Sequence, residues 1–254
     1  MRLIARDTTT TLADDIDDVE VAVLPVGSVE QHGPALPLGT DFVAAEAVAR
    51  SVDREDAVVL PTVPVGVSEH HRQFHGTLWT DPETFERYVS DILASVASHG
   101  VRKAVVVNGH GGNADALRRA ARRLRGDEVA FAAPWNWWSN LDGLEAELFG
   151  QEGITHADAM ETSMVYAIAE DLVREDALDE AEAGASDRFG RSVHGAEVGF
   201  DTADFSESGA ARNPTDASRE AGDRLFEKAS SELDALVDWL AERPFADLLP
   251  EPHR

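Results

Sequence analysis

Glu30, His32 and Asp41 fall together in GSVEQHGPALPLGTD, residues 27–41, among glycine, proline and small residues that suit neither a helix nor a strand. Imidazole and carboxylate are ligands for zinc, manganese or iron, and a Gly- and Pro-rich loop can bend tightly round an ion. The chain has no cysteine, so thiolate metal sites and disulfides are excluded. In VVVNGHGGNADALRRA (105–120) a strand, a Gly-rich turn and a helix follow one another like a phosphate cradle, but the glycines match neither the dinucleotide nor the P-loop spacing. His110 suits a metal ligand better, with Gly111 and Gly112 admitting close approach and Asn108 or Asn113 fixing the loop or a substrate. In THADAMETSMVY (155–166), Thr155 and Asp158 have capping-box spacing, which predicts His156 at the first helical position and Glu161 beyond it. Five residues turn a helix by about 500°, so these two divide the work. Glu161 serves as metal ligand or water-orienting carboxylate, and His156 reaches toward substrate. Singly, each has a plainer reading: Asp41 could only cap a helix, and an isolated Glu or His needs no function.

The elements that must position these residues alternate. Residues 21–27, 57–66, 103–110 and 128–134 read as strands, and 41–52, 82–100, 114–126, 156–173 and 214–242 as helices. WNWWSNLDG (135–143) reads as a loop and 175–213 as an acidic, Gly- and Ser-containing excursion. This order implies an α/β fold, a buried parallel sheet with helices on both faces. Such sheets collect ligands outside the carboxyl ends of their strands, where all these candidates fall.

At 254 residues one domain, 1–254, is expected. No run of about 18 apolar residues could span a bilayer, and MRLIARDTTT is too polar for a signal peptide, so a soluble, cytoplasmic protein is expected. The net charge of −26 disfavours nucleic acid and anionic membranes as partners. Lysine occurs only at Lys103 and Lys228, a balance that suggests a high-salt cytoplasm, where acidic self-repulsion is screened. RRAARRLR (118–125) lies toward the far end of its helix and reads as a solvated face.

Together PVGSVEQHGPALPLGTD, NGHGGN and HADAMETS, in this order, resemble the creatininase family of metal-dependent amidohydrolases over most of the chain. The resemblance implies a three-layer α/β/α fold with a mostly parallel central sheet, a homo-oligomer that is often a hexamer, a small-molecule amide substrate, and two divalent metal ions. By that resemblance Asp41 bridges the metals, Glu30 and His110 surround one, His32 the other, Glu161 completes the pair, and His156 is catalytic near the reacting group. Creatininases proper carry a sequence like NGHYEN, with a metal-binding glutamate where this chain has Gly112. The glycine form resembles relatives that deformylate pyrimidine nucleotides or trim a modified cofactor-precursor peptide. A cyclic amide or formamide on a heterocycle is therefore the expected substrate, with zinc the first choice of metal. Trp135, Trp137 and Trp138 could wall a pocket for a flat ring or form a buried cluster. Arg72, Arg191 and Arg212, in predicted loops, could meet a phosphate or be ordinary surface charge.

Overall fold

The protein is described by a computed structural model covering residues 2–150 and 155–251. Five strands, β1 (Arg2–Leu3), β2 (Val21–Val26), β3 (Ala57–Val59), β4 (Lys103–Asn108) and β5 (Phe131–Asn136), make one sheet in the order β1-β3-β2-β4-β5 with every pair parallel. The six residues of β2 and the six of β4 are all buried, as the centre of a sheet covered on both faces requires. The helices are α1 (Thr9–Ala13), α2 (Thr40–Ala49), α3 (Pro82–Ala97), α4 (Ala114–Gly126), α5 (Asp142–Phe149), α6 (Ala159–Ala169), α7 (Leu178–Ala183) and α8 (Arg219–Ala241).

Strand alternation sorts the core into two halves. Val21, Val23, Val105 and Val107 point to one face, where they meet Ala45 and Val48 of α2, Met160 and Met164 of α6, and Leu225 and Leu233 of α8. Ala22, Leu24, Ala104 and Val106 point to the other, against Phe85, Val89 and Leu93 of α3 and Leu117 and Leu124 of α4. The result is the expected α/β/α three-layer arrangement. β3 and β4 flank β2 on opposite sides, so the chain reverses its direction of travel at β2. The loops after β2 and β4 therefore open onto one crevice.

Several boundaries differ from expectation for local reasons. The strand expected over 57–66 stops at Val59, and its proline-interrupted continuation keeps only an isolated bridge from Val63 to Val26. β5 runs to Asn136, because parallel pairing with β4 continues to Asn108 opposite Asn136 and takes in part of the expected loop. The last helix begins at Arg219, capped by Ser218, whose hydroxyl accepts from the Ala221 amide at 3.1 Å. The acidic excursion contains α7 and an antiparallel hairpin, β6 (Arg191–Val193) with β7 (Ala196–Gly199). Among the described residues no helix is long and apolar enough to cross a membrane.

Candidate metal centre

The three motifs meet at the carboxyl edge of the sheet. Glu30 and His32 leave β2 in a loop held by the Glu30 amide donating to the Leu38 carbonyl at 2.9 Å, and Asp41 lies in the first turn of α2. Asn108 braces the loop after β4: its Oδ1 accepts from the His110 amide at 3.2 Å, and its Nδ2 donates to the His110 carbonyl at 2.6 Å and to Asn136 at 2.9 Å. Asn113 ties this loop to its neighbours, donating to the Gly27 carbonyl at 3.0 Å and accepting from the Val67 amide at 2.9 Å. The capping box expected from Thr155 is reversed. Asp158 is the N-cap of α6, accepting from the Met160 and Glu161 amides at 3.0 and 3.1 Å and from the Thr155 amide at 2.8 Å. His156 thus precedes the helix, with Ala157 turned to a φ of 50° after it, and the angular separation expected within one helix does not apply.

Glu30, His32, Asp41, His110, His156 and Glu161 are between 0% and 6% exposed. His110 Nε2 donates to the Val67 carbonyl at 3.0 Å, leaving Nδ1 3.1 Å from both Glu30 Oε2 and Asp41 Oδ2. His32 Nδ1 donates to the Glu30 carbonyl at 3.2 Å, leaving Nε2 2.9 Å from Asp41 Oδ1 and 3.7 Å from Glu161 Oε2. A backbone carbonyl on the outer nitrogen of each imidazole is the arrangement that aims the inner nitrogen at a metal. Asp41 offers one oxygen to each histidine. Among the described residues three sets each have their donor atoms within 4.8 Å of one another: Glu30 with Asp41 and His110, His32 with Asp41 and Glu161, and Glu30 with His32 and His156.

The electrostatics favour a cation at the centre. Both Glu30 oxygens, Asp41 Oδ2 and His32 Nε2 are buried without a hydrogen-bond partner among the described residues, although each costs free energy when orphaned. Burial works to lower His32, yet Asp41 and Glu161 outweigh it and raise it to about 10. His110 is raised as well, Glu30 and Asp41 overcoming its burial. Burial pushes Glu161 up to about 8. Buried imidazoles and carboxylates packed this closely form a nitrogen and oxygen donor set that fits divalent ions.

The centre opens into a cavity of about 570 Å³ whose wall includes Trp138, Phe189, Phe200 and Phe205, and which also takes in Glu197 of β7. Trp137 is 1% exposed and packed in the core, and Trp135 packs against that core from β5, so neither lines the cavity. Asn108 is fully buried and holds the His110 loop rather than facing the cavity. Arg191 projects from the exposed hairpin, Arg72 pairs with Asp201 at 2.8 Å and Glu69 at 3.0 Å, and Arg212 faces Glu145 at 3.8 Å. None of the three lines the cavity. Gly112 leaves no room beside the site: a Cβ there would overlap the Val67 carbonyl and the His110 ring. Sequence reasoning missed His70 and His71, which a short 3₁₀ turn, Glu69–His71, brings to the cavity. Burial drives both below their ordinary range, His70 to about 4. The His-His pair in SEHHRQF was the available signal; only the fold carries it from the end of β3 to the centre.

Fold and site together define a candidate divalent-metal centre at the carboxyl edge of an open parallel sheet. The family described as creatininase, creatinine amidohydrolase, matches residues 5–237, and the chain belongs to that family. It is 33% identical over 233 residues to the mycofactocin precursor peptide peptidase of Mycolicibacterium smegmatis, covering 89% of this chain and 87% of that protein. To the creatinine amidohydrolase of Pseudomonas putida it is 31% identical over 171 residues, 60% of this chain and 66% of the other. The fold matches a crystal structure of creatininase with a TM-score of 0.77 at 24% identity, over 95% of this chain and 98% of that one. The protein is accordingly a creatininase-family amidohydrolase, a metal-dependent enzyme acting on amide bonds.

Proposed function

We propose that the enzyme uses two divalent metal ions, one held by Glu30, Asp41 and His110 and the other by His32, Asp41 and Glu161, to hydrolyse an amide carried on a flat or apolar, unphosphorylated group. The observation that carries this reading is the placement of Asp41, whose two oxygens face two differently anchored histidines. Two ions so held would share and acidify a water and polarise the amide carbonyl. His156, on the cavity wall beside Glu30, takes a proton as water adds to the carbonyl carbon. It returns that proton to the nitrogen as the C–N bond breaks, leaving an amine and a carboxylate.

The aromatic wall and the absence of any Lys or Arg among the described lining residues support an uncharged ring or apolar side chain over a nucleotide phosphate. The peptidase relative makes a peptide amide the second reading, and the same wall suits an apolar or aromatic residue of such a peptide. Metal-replete enzyme in high salt should be assayed against creatinine, a formylaminopyrimidine with and without its phosphate, and short peptides ending in aromatic residues. Turnover of an unphosphorylated amide with no gain from phosphate is expected. A strict requirement for the phosphate would sink the cation-free reading.

A further inference from the structure

The Gln31 side chain lies between two histidines and is locked in place. Its Oε1 accepts from the Gly33 amide at 2.9 Å and its Nε2 donates to the Gly209 carbonyl at 3.1 Å, so oxygen and nitrogen are distinguished by backbone partners. Gly209, at a φ of +88°, is packed so closely that a Cβ there would overlap the amide. Nε2 has a second hydrogen and two further neighbours, His71 Nδ1 at 2.7 Å and His156 Nε2 at 2.8 Å.

The competition has one consistent outcome. His156 Nε2 is also 2.8 Å from the Gln31 backbone carbonyl, which can only accept, so that nitrogen carries the proton and cannot receive one from the amide. The amide hydrogen then goes to His71 Nδ1, which Thr202 Oγ1 also approaches at 3.0 Å and can serve as a donor. His71 must then carry its proton on Nε2. That atom is buried, lacks a hydrogen-bond partner among the described residues, and faces Glu30 Oε1 at 3.3 Å, where a bare nitrogen would meet a carboxylate lone pair to lone pair. His156 is left with a bare Nδ1, 3.7 Å from the same Glu30 oxygen.

We infer that Gln31 is a positioning residue that sets the tautomers of two adjacent imidazoles, His71 with its Nε2 proton turned toward the Glu30 carboxylate and His156 as the proton acceptor of the reaction. The ring centroids are 4.4 Å apart, so the side-chain amide of one residue and its backbone carbonyl give neighbouring histidines opposite polarity toward the cavity. The acceptor role rests on the proposed hydrolytic reading; the tautomers do not.

The test is two-bond ¹H–¹⁵N correlation of histidine-labelled full-length protein, metal-free and zinc-loaded, with zinc affinity measured by chelator competition. Wild type should show both His71 and His156 as Nε2–H tautomers. Gln31→Glu replaces the donor by an acceptor of the same shape, so His71 should move its proton to Nδ1 and zinc affinity should fall about 10–100-fold. His71→Gln, which keeps a donor near Glu30, should hold affinity closer to wild type than His71→Leu. An Nδ1–H tautomer for His71 in wild type, or unchanged tautomers and affinity in Gln31→Glu, would overturn the inference. If Gln31→Glu fails to fold, the wild-type spectra decide it. Wild-type protein that binds no zinc but shows the expected tautomers would overturn the metal reading and leave this one standing.

Discussion

Asp41 touches both halves of the centre, His32 through Oδ1 and His110 through Oδ2, so its loss should be felt at both. Elemental analysis is expected to find about two divalent ions per chain in wild type and less than one in Asp41→Ala. Full occupancy in that variant would remove the bridging role. His156 separates from the ligands in the opposite sense: His156→Ala should keep the metal and lower kcat by roughly 10²–10⁴-fold. An emptied site in that variant would make His156 a ligand first. At Gly112 the crowding by the Val67 carbonyl and the His110 ring gives a further expectation. Gly112→Glu should weaken metal binding, through a displaced His110, without creating creatinine hydrolysis. Faster creatinine turnover would show that the loop adapts.

At the scale of the element, the start of α6 does two jobs. Asp158 caps the helix and, by holding the Met160 and Glu161 amides, fixes the turn from which the Glu161 side chain folds back to accept from the Ala157 amide at 2.5 Å. Asp158→Ala should therefore lower stability by about 1 kcal/mol, within the 0.5–2 kcal/mol range of cap losses, as read from urea unfolding at high salt. Metal affinity should fall with it. A stability loss with unchanged affinity would mean that Glu161 is placed by the core and not by the cap. The sequence pattern put a helix start here but assigned the cap to Thr155, because Thr155 and Asp158 are three residues apart and either can serve as the acceptor. Only the left-handed turn at Ala157 settles the choice.

Across the whole molecule, 48 acidic residues face 22 basic ones, and one of the two lysines is withdrawn into the interior. Lys103 Nζ donates to the Ala241 and Arg243 carbonyls at 2.8 and 2.9 Å and pairs with Glu20 at 2.7 Å, closing the carboxyl end of α8. Salt weakens the exposed Arg–carboxylate pairs, worth about 0–1 kcal/mol each, but it also screens the repulsion of the unmatched acids. The second effect has more charges behind it, so the thermal midpoint should climb as KCl is raised to molar concentrations. A flat or falling midpoint would detach the acidity from any adaptation to salt. Leu78, Trp79, Tyr88 and Phe200 are 46–72% exposed, and a homo-oligomer would cover such surface. Light scattering at high salt is expected to return a multiple of the 27.5 kDa chain mass.

Glu30, His32, Asp41, His110, His156 and Glu161, which the fold gathers at one buried centre, could be picked out as candidates locally, because His and carboxylate residues in Gly-rich turns after apolar runs are written in short stretches of sequence. The parallel sheet and its helical layers were legible for the same reason: apolar runs and helical periodicity are local. What needed the tertiary structure were the contacts between residues far apart in the chain. Those contacts bury Trp137 in the core, tie Asn108 to Asn136 28 positions away, and leave Arg72, Arg191 and Arg212 off the cavity wall. They also bring His71 against Gln31 and Thr202, neighbours separated by 40 and 131 positions. The tautomer of His71 depends on the Gln31 amide and the Thr202 hydroxyl that lie opposite it, and no short window of sequence contains these partners.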